Sequence, residues 1–181
     1  MLDPVVGGLL EADLALIFLA GAVQKARHPA WFGRAVREYD LLAPWAAAPV
    51  AIVVTLAEFG CALGVLWAPA RTLAAGGMVT LLLVFSAAVT INLARGRRDL
   101  ECGCWGPAEA SGAGLSGWIV VRNVAVAAMA AALWLPVSPR PVVWLDYVTI
   151  GFATVASLLV LTAVNRLIAA VPGLAKMRRG A

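Results

Sequence analysis

Cys102 and Cys104 stand one residue apart in the stretch RGRRDLECGCWG, Arg95 to Gly106, the one long polar segment between apolar runs. Two thiols at that spacing can close a small disulfide, share a soft metal, or attack another disulfide in turn. Gly103 between them adds no side-chain clash, and Trp105 and Gly106 follow. A disulfide over so short a separation closes a tight ring, which is expected to be strained and readily reduced. As a metal site the thiolate pair suits Cu(I), Hg(II) or Zn(II). With only His28 and Glu101 as further ligands, a closed four-ligand zinc site is under-supplied. Cys61 is left over if the other two cysteines pair.

The elements that must position this segment follow from composition. Of 181 residues, 62% are hydrophobic and 13% charged. The apolar residues come in runs of about twenty, the length that crosses ~30 Å of hydrocarbon as helix. The chain reads as an all-α integral membrane protein, one membrane domain over residues 1–181. A four-transmembrane-helix bundle is expected at about 4–24, 45–67, 72–94 and 118–135, with a fifth, C-terminal span at about 142–170. The first run lacks the basic start and cleavage pattern of a signal peptide and is read as a mature helix. Between the first two spans, Trp31, Phe32, Ala35, Val36 and Tyr39 share one helical face, predicting an interfacial amphipathic helix over 30–41. Lying on the cysteine side, it could act as a lid over the thiols. The loop 95–117 carries the cysteines.

Five spans put twelve of the fourteen lysines and arginines on the side of that loop, and only Arg71 and Arg140 on the other. By the positive-inside rule the cysteine loop is then cytoplasmic. The net charge of +4 is accounted for by lipid headgroups and topology, and no nucleic-acid partner is implied. Arg34, Arg37, Arg97 and Arg98 read as headgroup contacts. Lys25, His28, Asn92, Arg95, Arg122 and Asn123 stand at helix ends on the same side. A cationic rim of this kind would stabilise a thiolate and lower its pKa, the condition for exchange.

Glu58 lies near the middle of the second span, and Glu11 is expected at nearly the same depth in the first. An intramembrane carboxyl needs a partner or a task. Glu11 reads as a group that holds the bundle together. Glu58 reads as either that or a proton relay or cofactor contact. Cys61, ~16 residues into the second span and so roughly 24 Å from the cysteine side, reads as a small buried residue.

Taken in order, GAVQKARHP after the first span, Glu58, the Asn-x-x-Arg-Gly of Asn92 to Gly96, CGCWG, and Arg122-Asn123 resemble the MauE family of methylamine-utilisation membrane proteins, within the DoxX-like group. The resemblance covers about Leu14 to Leu135. Where the family usually reads CGCFG, this chain places Trp105, which keeps a large aromatic beside the pair. The resemblance implies thiol-disulfide oxidoreductase chemistry through Cys102 and Cys104, with a thioredoxin-like partner. Analogy with the DsbB and vitamin K epoxide reductase groups adds a membrane quinone as electron acceptor. Disulfides of an exported enzyme form outside the cytoplasm, so the resemblance and the charge pattern point to opposite sides of the cell membrane. Two readings of other classes stand beside this one, a soft-metal binding or transport protein and a non-catalytic membrane anchor for a redox complex.

Overall fold

The computed structural model of the protein describes residues 1–100 and 114–179, with side chains to residue 166. The described residues form six helices and no strand: α1 (Pro4–Arg27), α2 (Pro29–Glu38), α3 (Ala47–Gly64), α4 (Arg71–Ala94), α5 (Gly117–Ala132) and α6 (Trp144–Arg179). Four of them are long and apolar enough to cross a membrane, namely α1, α3, α4 and α6 over Trp144–Arg166. The expected span at 118–135 is shorter. α5 has 16 residues, about 24 Å of helix against ~30 Å of hydrocarbon. Beyond it Leu133, Trp134 and Leu135 each bond back three residues instead of four, so the chain tightens out of the α-helix one turn early. Five spans are therefore expected from the sequence, while four helices reach spanning length.

Water cannot drive these helices together in lipid, so close packing of small side chains has to. Ala62 of α3, Ala74 and Ala75 of α4, and Ala127 and Ala130 of α5 are all buried in one core, filled by Leu14, Phe18, Met78 and Leu82. The α4–α5 contact is the most extensive, and α1 packs on α3, α5 and α6. α6 lies outside the core against α1. There the buried Asp13 accepts from Ser157 Oγ at 2.8 Å on both carboxylate oxygens. A Cβ at Gly8 would come within 2.8 Å of Ile150 Cδ1, so glycine lets the two helices approach.

The end of the bundle opposite Arg95 is tied by polar contacts. Asp3 caps α1 by accepting from Val5 N–H at 2.8 Å. Arg140 bridges Asp3 at 3.3 Å and Asp146 at 3.0 Å. The Val5 N–H, and then Arg140, hold the Asp3 carboxyl below its usual range. Its contribution is present above the ordinary aspartate value of about 3.9 and is lost as pH falls through the lowered one. Glu11 meets Arg71 at 3.0 Å near this end.

Cys61 is half-buried where α3 crosses α4, and a Cβ built on Gly77 would stand 2.6 Å from its Sγ. Gly77→Ala is expected to cost about 1–3 kcal/mol by overpacking. Cys61→Ala in the same chain should restore most of that loss. Thermal unfolding of the detergent-solubilised variants checks it, and an unchanged midpoint for Gly77→Ala would refute the contact.

Candidate functional site

Lys25 stands in the last turn of α1. Instead of turning outward, its side chain is only 3% exposed, and Nζ donates to both carboxylate oxygens of Glu58 at 2.8 Å. Two aromatic faces complete the enclosure, Phe32 of α2 with its centroid 5.2 Å from Nζ and Phe85 of α4 at 5.7 Å. Ammonium, carboxylate and ring quadrupoles thus compensate one another where water cannot. This overturns the expected pairing of depths. Glu58 belongs with Lys25, while Glu11 lies fourteen residues earlier on α1, about 21 Å along its axis, with Arg71 as its partner.

Phe32 can lie over Lys25 because α2 is held down at its C-terminus. A helix ends with carbonyls that lack intrahelical donors. Here the end of α4 supplies them: Arg97 Nη2 donates to Glu38 O at 2.8 Å, Asn92 Nδ2 to Tyr39 O at 3.1 Å and Arg95 Nη1 to Asp40 O at 3.3 Å. Asn92 is fully buried and also donates to Ala88 O. Asp40, at φ 52°, turns the chain in the left-handed region that aspartate tolerates better than most residues. α4 itself stops in a Schellman turn, with Arg97 N–H on Asn92 O and Gly96 N–H on Leu93 O, both 3.0 Å. Gly96, at φ 77°, supplies the conformation that turn requires. The Asn-x-x-Arg-Gly motif therefore fastens α2 to α4.

One residue further on, Arg98 O accepts from Leu115 N–H at 2.8 Å, and a Cβ on Gly114 would run into that same carbonyl. The segment bearing Cys102, Cys104 and Trp105 thus leaves and re-enters the described structure at one point, beside the capped end of α2. Those three residues themselves lie outside the described residues, as does Glu101.

Two spaces adjoin the Lys25–Glu58 pair. A cavity of about 60 Å³ lies between α1, α4 and α5, with Lys25, Glu58, Arg122 and Asn123 on its wall. Asn123 is 3% exposed, and its Oδ1 accepts from Arg122 Nη2 at 3.3 Å. A larger apolar groove of about 370 Å³ runs beneath α2, walled by Phe32, Tyr39, Val54, Phe85 and Val89, with Lys25 at one side. Burial pushes the Tyr39 phenol up to about 12, so it stays protonated across the physiological range.

The residues expected to form one cationic rim are accordingly divided. Lys25, Glu58, Arg122 and Asn123 gather around the small cavity, and Asn92 and Arg95 hold α2. His28 is exposed between α1 and α2 and makes no side-chain cap. Among the described residues no group of three histidine, cysteine, aspartate or glutamate side chains comes together. Phe32, Phe85 and Arg97 were missed as contributors. Phe32 had a signal in the amphipathic pattern of α2, whereas Phe85 sits in a uniformly apolar run that gives none.

A family model described as methylamine utilisation protein MauE matches residues 5–138. The methylamine utilization protein MauE of Paracoccus denitrificans is 36% identical over 133 residues, 74% of this chain and 70% of that one. Its counterpart in Methylorubrum extorquens is 35% identical over 139 residues, 76% and 74% of the two chains. That of Paracoccus versutus is 31% identical over 141 residues, 77% and 74%. No solved structure matches the chain.

Removing one member of the buried ion pair leaves the other charge uncompensated. Lys25→Met and Glu58→Leu are each expected to destabilise by about 3–5 kcal/mol. The double variant should lose less than either alone. A double-mutant cycle by thermal or denaturant unfolding in detergent measures this, and additive losses would show that the pair does not interact.

Proposed function

The chain belongs to the MauE family, and from that membership we propose that it is a membrane accessory protein of methylamine utilisation that exchanges thiols and disulfides through Cys102 and Cys104. The observation that carries the reading is the closed base at Arg98 and Leu115. It returns the cysteine-bearing segment to a fixed point of the bundle, next to α2 and its caps, and so gives a soluble partner one defined place to meet it.

The exchange is a two-electron step. A thiolate of a thioredoxin-like partner attacks one sulfur of the Cys102–Cys104 disulfide, and a mixed disulfide forms. The partner's second thiol then displaces the bound cysteine, leaving the partner oxidised and this chain as the dithiol. Restoring the disulfide releases two electrons and two protons, which a membrane quinone, when bound, accepts. Support for such an acceptor comes from the donor-lined cavity and the apolar groove that meet at Lys25.

The cation count favours the cytoplasmic face for the cysteine segment. Lys25, Arg95, Arg97 and Arg122 are engaged inside the fold or bonded to it, so they report on packing as much as on topology. The eight that remain on that side still outnumber Arg71 and Arg140, which are themselves ion-paired.

The test is thiol labelling in intact cells with a membrane-impermeant maleimide, in a Cys61→Ser background. Cys102 and Cys104 should be protected until reductant is added, and a thioredoxin-like partner whose second cysteine is replaced by serine should be trapped on this chain as a mixed disulfide. A Cys102→Ser, Cys104→Ser protein that fully restores a null strain would end the thiol reading. Labelling only after lysis gives the cytoplasmic side, and labelling from outside gives the opposite one. Stoichiometric metal on the reduced protein, lost with Cys102→Ser, would favour the soft-metal reading instead.

A further inference from the structure

The Asn123 amide is only half used. Its Oδ1 accepts from Arg122, while Nδ2 has no partner although the residue is 3% exposed. Arginine carries donors and no acceptor, so Oδ1 must face Arg122 and the amide nitrogen turns away from it. A buried donor left unpaired forfeits its hydration without a replacement bond. Asn123 lines the cavity of about 60 Å³, more space than a single water requires.

The cavity is polar at one end and apolar at the other. Lys25, Glu58 and Asn123 stand against Phe18, Leu82 and Val126. Its boundary also includes Ile17 of α1 and Leu161 of α6. Leu161 thus brings α6, a helix long and apolar enough to cross a membrane, to the border of the cavity.

We infer that this cavity binds the neutral carbonyl oxygen of a membrane-dissolved molecule, with Asn123 Nδ2 as the donor. Neutrality follows from the charges present. Lys25 is balanced by Glu58 at 2.8 Å, and Arg122 is already engaged. The open donor is an uncharged amide. A carboxylate would give up its hydration without an unmatched cation to meet it, whereas a carbonyl needs one good donor and an apolar surround. The groove beneath α2 is roomier, but its charged group is the same Lys25, already bonded to Glu58. The site stands on Asn123 and the cavity whether or not the cysteines exchange. The use of a quinone as probe rests on the acceptor proposed above.

The experiment is photolabelling of the full chain in lipid nanodiscs with an azido-quinone, followed by peptide mapping and competition with decylubiquinone. Label should fall on α5 or on the Ile17 to Gly21 part of α1, be displaced by the competitor, and bind about threefold to tenfold more weakly in Asn123→Leu. The thermal midpoint of Asn123→Leu should stay close to the parent's, since the unpaired Nδ2 and the Oδ1 bond to Arg122 are removed together. A lowered midpoint together with unaltered labelling would mark Asn123 as structural and overturn the assignment. Displaceable label confined to the groove under α2, absence of displaceable label, or displacement by millimolar acetate, which would reveal a free small anion, would each overturn it as well. Reactivity of Cys102 and Cys104 toward dithiothreitol, measured on the same samples, separates the two claims. Inert cysteines with Asn123-dependent labelling would remove the thiol reading and uphold the site.

Discussion

A lysine ammonium held 2.8 Å from a glutamate carboxylate inside an apolar bundle is the constraint on which the rest of the arrangement depends. Neither ion tolerates that environment alone. Lys25 must therefore point back into the bundle, α3 must present Glu58 to α1, and α2 must fold over the junction so that Phe32 closes it. That last requirement explains why the end of α4 spends three side chains on the carbonyls of α2. A ten-residue helix is too short to persist by its own hydrogen bonds. Its apolar face and its capped C-terminus hold it, and both are directed at the same pair.

The helices were legible from the lengths of the apolar runs, because hydrophobic thickness sets those lengths directly. Boundaries coincide or shift by up to three residues, except that α6 runs nine residues past its expected end, and α5 ends a turn early. Partners were not legible. Glu58 and Lys25 are 33 residues apart, and no spacing rule connects two long apolar helices across the short α2 between them. Depth estimates counted along each helix placed Glu11 beside Glu58, yet α1 and α3 are offset, so Glu11 falls to Arg71. The Asn92 to Gly96 motif was visible as a motif, but its work is done on backbone carbonyls, which a sequence does not display as targets. Arg97, set aside as a headgroup contact, makes the shortest of those bonds.

α6 stands apart from this logic. It touches the bundle along α1, linked by a half-buried hydrogen bond between Asp13 and Ser157 and, near its start, by Arg140 bridging Asp146 to Asp3. The family match stops at residue 138, before α6 begins at Trp144. The core of α1 to α5 and the site at Lys25 thus lie almost entirely within the shared part of the family, and α6 contributes Leu161 to the cavity wall.

The hydrogen bond between Arg98 O and Leu115 N–H has a consequence for descent. It joins two residues that have sixteen others between them in the chain. The entropic penalty of a closed loop rises logarithmically, about 0.6 kcal/mol for each doubling of length. Changes in the number of residues between the two roots therefore alter the closure entropy only slightly. A lineage built on this scaffold can vary the length of that stretch while the hydrogen bond at its root is kept.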